Sequence, residues 1–126
     1  MDREDLGHEF RVLARFGPDG VLIVSVVGEL DLATISELQA ALDGAASSPA
    51  VAVDLVETTF VDSTALGALV ARAQELERAG VPLIVAADGP AVVRTIAVTG
   101  IDRLLTVVPT LDEALDRLGT GVGAGA

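Results

Sequence analysis

The chain has no cysteine, tryptophan, tyrosine or lysine, and its one histidine is His8. Each gap removes a class of chemistry. Without cysteine there are no disulfides, no thiolate metal sites and no thiol nucleophile. With histidine confined to the N-terminal segment, a Ser-His-Asp hydrolase would have to draw His8 out of a tail to reach its nucleophile. His8 reads instead as a solvated tail residue, and no catalytic role, metal site or cofactor is expected. The aromatic residues are Phe10, Phe16 and Phe60 alone, too few for the base-stacking platforms of single-strand binders. A net charge of -11 opposes contact with phosphate backbones, so direct nucleic-acid binding is not expected. No apolar run approaches the roughly 18 residues that span a bilayer, which argues against membrane insertion. The opening MDREDLGHEF is acidic where a secretory signal is basic and then apolar, and a cytoplasmic location is expected.

What is present is aliphatic. With 51% hydrophobic residues in 126, the chain is long enough for one domain with a sizeable core. FRVLARF (10–16), the turn GPDG (17–20) and VLIVSVVG (21–28) predict a β-hairpin. Ile35, Leu38, Ala41 and Leu42 share one face of a predicted helix over 34–47. AVAVDLV (50–56) predicts a buried strand, with Thr58 and Thr59 in the loop after it. Leu66, Leu69, Val70, Ala73 and Leu76 form the apolar face of a helix over 64–80, which Gly80 and Pro82 terminate. PLIVAA (82–87) predicts a strand, DGPAVVRTIAVTG (88–100) a helix with Pro90 in its first turn, and RLLTVVP (103–109) a strand. TLDEALDRLG (110–119) predicts a final helix with Thr110 as N-cap and Glu113 three positions on. Residues 1–8 are expected to be a flexible N-terminus, 9–118 the domain and 119–126 a flexible Gly/Ala-rich tail. Strands that alternate with helices make this an α/β domain.

The stretch TFVDSTALGALV (59–70) departs from packing material. Asp62, Ser63 and Thr64 stand between an apolar strand and an apolar helix, where Asp or Ser can serve as an N-cap. The same helix start offers free amides and a positive dipole end, so a phosphorylated Ser63 would add about -1.5 to -2 charges beside Asp62. The residues leave both roles open. GELD (28–31) is either a strand end with a solvated turn or places Glu29 and Asp31 at the same end as Ser63. Gly67 lowers helical propensity by about 1 kcal/mol relative to Ala, which suits a close approach by a partner or by the domain's own sheet.

Three segments together, GELDLAT, VDLVETTFVDSTALGALV and GPAVVRTIAVTGIDRLLTVVPTLDEAL, resemble the STAS domains, in particular the single-domain bacterial anti-sigma-factor antagonists. The resemblance covers roughly residues 9 to 118. It implies a STAS fold, a mixed sheet of about four to five strands with about four helices packed mainly on one face. It also implies partner switching: the unphosphorylated antagonist binds an anti-sigma factor that is a GHKL-type serine kinase, and the sigma factor is freed. Phosphorylation of Ser63, with Thr64 as the alternative acceptor, then lowers affinity, and a metal-dependent Ser/Thr phosphatase resets the cycle. The resemblance implies that Asp31, Asp62, Ser63, Thr64, Ala65 and Gly67 are the partner-binding residues, with Asp31 near the kinase nucleotide. Ala65 stands where many members have Gly, so its methyl is expected near the acceptor, where it would affect kinase docking. The alternative function is an unregulated STAS adaptor or a small-ligand or nucleotide-binding module.

Overall fold

The computed structural model describes residues 9–120; the expectations for 1–8, His8 included, and for 121–126 lie outside them. Strand β1 (Arg11–Phe16) turns through Pro18–Gly20 into β2 (Leu22–Leu30), the expected antiparallel hairpin. There follow α1 (Ile35–Ala41), β3 (Val51–Asp54), β4 (Thr58–Val61), α2 (Ser63–Arg78), β5 (Leu83–Ala86), α3 (Pro90–Thr99), β6 (Thr106–Val108) and α4 (Leu111–Leu115). The sheet runs β1-β2-β3-β5-β6, and every pairing after the first is parallel. Strand β4 pairs β2 beyond the end of β3, so one long strand is flanked by two short ones in succession.

That strand brings the sheet to six, where about four to five were expected. It corrects one expectation: Thr58 and Thr59 belong to β4 rather than to a loop. Thr58 is buried, and its hydroxyl donates to the Val26 carbonyl at 2.8 Å. The turn at 55–57 that separates β3 from β4 contains no Gly or Pro, and Val56 N donates to Asp54 Oδ1 at 3.0 Å to close it. A short, Thr-rich strand behind such a turn leaves little signal in the residue pattern.

Other boundaries moved for local reasons. Helix α1 stops at Ala41, ahead of Asp43 and Gly44, both poor helix formers, and a 3-10 turn at Ala45–Ser47 follows. Gly100, left-handed at φ 75, ends α3 as expected, and the 3-10 turn Ile101–Arg103 then takes Arg103, which was expected to open the last strand; that strand begins only at Thr106. Thr110 caps α4 by accepting from Glu113 N at 3.0 Å. The helix continues as a π turn over Asp116–Thr120, so Gly119 and Thr120 extend the helical end rather than open the tail.

The alternation of side chains along the strands divides the core. Leu22, Val24, Val26, Val51, Val53, Leu83 and Val85 meet Leu38 of α1, Leu66 and Leu69 of α2 and Val92 of α3 on one face. Ile23, Ala52 and Ile84 meet Ala114 and Leu118 at the C-terminal helical end on the other. Three helices on one face and one on the other refine the expected arrangement. Burial of each large aliphatic side chain contributes roughly 1.5–3 kcal/mol, which holds the helices to the sheet. Because β2 and β4 are parallel, with Leu30 opposite Val61, both chains leave the sheet at the same edge. Asp31 and Asp62 are the next residue of each.

Candidate functional site

The register that pairs Leu30 with Val61 builds the site. Asp62 N donates to the Leu30 carbonyl at 3.2 Å, which keeps Asp62 extended at φ -103, ψ 166. That is the backbone conformation of an N-cap. Its Oδ1 accepts from Ala65 N at 2.8 Å, and its carbonyl accepts from Leu66 N at 3.1 Å. Asp62 therefore caps α2, and Ser63 becomes the first helical residue. Of the two candidates for the cap, the structure selects the carboxylate and excludes the hydroxyl.

Ser63 and Thr64 are exposed. By helix geometry their amides have no carbonyl of the preceding turn to donate to, and with the dipole they form the positive end of α2. Among the described residues no hydrogen bond occupies the Ser63 hydroxyl. The fold leaves this hydroxyl unengaged and open to solvent.

The second carboxylate oxygen of Asp62 reaches across to the β2–α1 loop, where Oδ2 accepts from Leu32 N at 3.3 Å. That loop is held from within as well. Asp31 Oδ1 accepts from Ala33 N at 3.0 Å and from Thr34 N at 3.1 Å. The Thr34 hydroxyl accepts from Asp31 N at 2.9 Å and donates to the Glu29 carbonyl at 2.9 Å. Asp31 is thus half-buried and shapes the loop with one oxygen. Of the two readings of GELD, the structure favours the shared end: Glu29 pairs with Phe60 in the sheet, and Asp31 stands beside Asp62.

Gly28, in the same motif, has φ 104, and a Cβ there would collide with the Glu9 carbonyl oxygen. The sheet register shifts between Gly28 and Glu29. Glycine is required by a positive φ and a close backbone approach at once.

Gly67 answers differently. Nothing lies within 4 Å of a Cβ built on it, so the domain's own sheet is not what approaches there. Together with exposed Ser63, Thr64 and Ala71 it leaves one side of the start of α2 low in relief. Ala65 points the other way: it is fully buried. Its methyl packs in the core, and the expectation that it would touch a docking partner is corrected. Residue 65 lies two positions after Ser63 in the helix, about 200° around the axis at 3.6 residues per turn, so the two face opposite sides.

Two apolar residues at this end escaped the sequence reading. Leu32 is 70% exposed on the loop that Asp62 holds, and Phe60, 43% exposed, lies two positions before Asp62. The signal was present in GELDL, where an apolar residue directly follows the loop aspartate. Among the described residues no group of His, Cys, Asp and Glu could hold a metal, and no helix is long and apolar enough to cross a membrane.

The family model of the STAS domain matches residues 16–114. The anti-sigma-F factor antagonist RsfB of Mycobacterium tuberculosis is 33% identical over 109 residues, 85% of this chain and 85% of that protein. The crystal structure of an anti-sigma factor antagonist from Mycobacterium paratuberculosis is similar with a TM-score of 0.78 at 37% identity, over 87% of this chain and 94% of that one. The anti-sigma factor antagonist SpoIIAA in its unphosphorylated form has a TM-score of 0.71 at 20% identity, over 87% of this chain and 97% of that one. At that identity the likeness is one of fold.

Proposed function

The chain belongs to the STAS domain family, and on that premise we propose that it is a cytoplasmic anti-sigma factor antagonist whose docking is switched off by phosphorylation of Ser63. The observation that carries this reading is the division of labour at the start of α2. Asp62 caps the helix, so the exposed Ser63 hydroxyl can be modified without loss of the cap. The antagonist role rests on RsfB and on the mycobacterial structure, which bear that description at 33% and 37% identity.

In the cycle, the unmodified chain presents Ser63, Thr64, Gly67 and the loop of Asp31 and Leu32 to an anti-sigma factor that is a GHKL-type serine kinase, and the sigma factor is released. The Ser63 oxygen attacks the γ-phosphorus of ATP, the bond to the β-phosphate oxygen breaks and ADP leaves. The hydroxyl proton passes to a base of the kinase. The chain is substrate and ligand here and supplies no catalytic group. Phosphate at this point lies by the free amides of α2 and beside the Asp62 carboxylate. A further negative charge within about 4 Å of a partner's carboxylate costs on the order of 1–4 kcal/mol, depending on local solvation, which corresponds to roughly a fivefold to several-hundredfold weaker complex. A metal-dependent Ser/Thr phosphatase restores the hydroxyl.

The test is phosphotransfer from kinase-type anti-sigma factors and ATP, read by intact mass with site mapping. One phosphate on Ser63, absent in Ser63→Ala, is the expected result. A phosphate on Thr64 instead would move the acceptor, and no phosphate with any such kinase would favour an unregulated adaptor.

A further inference from the structure

A cavity of about 430 Å³ opens between α3 and β6. Ala87 and Asp88 directly follow β5 and Pro109 directly follows β6, so it lies outside the carboxyl ends of two parallel strands. Its walls are apolar. Val93, Ile96 and Ala97 line it from one face of α3, and Val107 lines it from β6. Val93 is 42% exposed, apolar surface that the fold itself leaves uncovered. The charged groups that line it are the carboxylates of Asp88 and Asp102, with no arginine among the described lining residues. A smaller cavity of about 230 Å³ shares Asp88 and Pro109 and adds Asp54 and Asp112 to the acidic mouth.

We propose that this cavity binds a small amphiphilic organic cation, an aliphatic amine whose chain covers Val93, Ile96 and Val107 and whose ammonium meets Asp88 and Asp102. The volume falls within the range of small-molecule sites, about 300–1,000 Å³. Asp88 and Asp102 are both exposed, so they attract an ammonium at the mouth with the modest strength of surface charges, while the apolar wall covers its alkyl chain. The same field repels an anion of equal size. The site is independent of Ser63 phosphorylation, and its test does not involve the kinase.

The experiment titrates the full chain with n-octylamine, n-octanol and octanoate in low salt, followed by backbone amide NMR. Saturable binding of the amine is expected, with shifts at Val93, Ile96, Ala97 and Val107, an affinity about tenfold or more above that of octanol, and no binding of octanoate. Ala97→Phe fills the cavity from an exposed helix position and should weaken the amine about tenfold, with the spectrum of β1 and β2 unchanged. Asp88→Asn combined with Asp102→Asn should bring the amine down to the level of octanol. Absence of saturable amine binding, shifts confined to other residues, or equal binding of amine and octanoate would each overturn the assignment.

Discussion

The carboxylate of Asp62 accepts the amide of Leu32, 30 positions earlier in the chain, at 3.3 Å, while its other oxygen caps α2 through Ala65 N at 2.8 Å. One side chain thus joins the exposed loop of β2 to the start of the helix that carries Ser63. Two separate segments become one surface.

Asp62→Ala should therefore be more costly than loss of an ordinary cap. Cap removal costs about 1 kcal/mol, and the Leu32 amide loses its acceptor in the same substitution. Denaturant unfolding should show a loss of about 1–2 kcal/mol, with faster hydrogen exchange at Leu32 and Ala65. Unchanged exchange at Leu32 would mean that the bond does not hold the loop in solution.

Ser63→Ala should leave stability within about 0.5 kcal/mol of the original, the range of ordinary surface substitutions. A loss near 1 kcal/mol would return the cap to Ser63. In partner binding the same variant should match the unmodified chain and resist phosphorylation, while Ser63→Glu should bind about tenfold or more weakly. Equal affinity of both variants, measured by calorimetry against the kinase-type partner, would refute the switch.

Gly67→Ala tests whether the open helix face serves a partner. Beyond the adjoining backbone of its own helix, no heavy atom lies within 4 Å of the added methyl, and the helix gains about 1 kcal/mol in propensity, so the melting temperature should rise. Gly67→Leu adds bulk to the same exposed face and should reduce partner affinity while the fold persists. Wild-type affinity for the leucine variant would remove Gly67 from the interface.

Gly28→Ala should be destabilising by more than about 1 kcal/mol, since φ 104 strains any L side chain and the new Cβ would meet the Glu9 carbonyl oxygen. Thermal unfolding gives the loss, and amide shifts at Phe10 and Arg11 locate it at the start of β1. An unchanged melt would show that the backbone there relaxes without cost.

Much of the fold was legible because most elements bury one regular face. The hairpin, α2, β5 and α3 follow from periodicity and from turn residues such as Gly17, Pro18, Gly80 and Gly100. Strand β4 was not legible: Thr58 is buried by a hydrogen bond to Val26 O, a partner 32 positions away that no local pattern reveals. The candidate site was legible as a set of residues, with Asp31, Asp62 and Ser63 at one end of the sheet, but Leu32 and Phe60 were not singled out. An isolated exposed apolar residue has no periodic signature.

Composition and residue pattern specify an aliphatic α/β domain without thiol or metal-thiolate chemistry, and a hydroxyl-acidic cluster at a helix start. They do not divide labour within that cluster, because Asp and Ser are both competent caps. Strand pairing divides it. Pairing of Asp62 N with Leu30 O holds Asp62 extended and begins the helix at the next residue. The same register brings the Leu32 amide to its second oxygen. Ala65 was turned into the core for a related reason: once the cap is at Asp62, helical rotation presents Ser63 to solvent and residue 65 to the sheet.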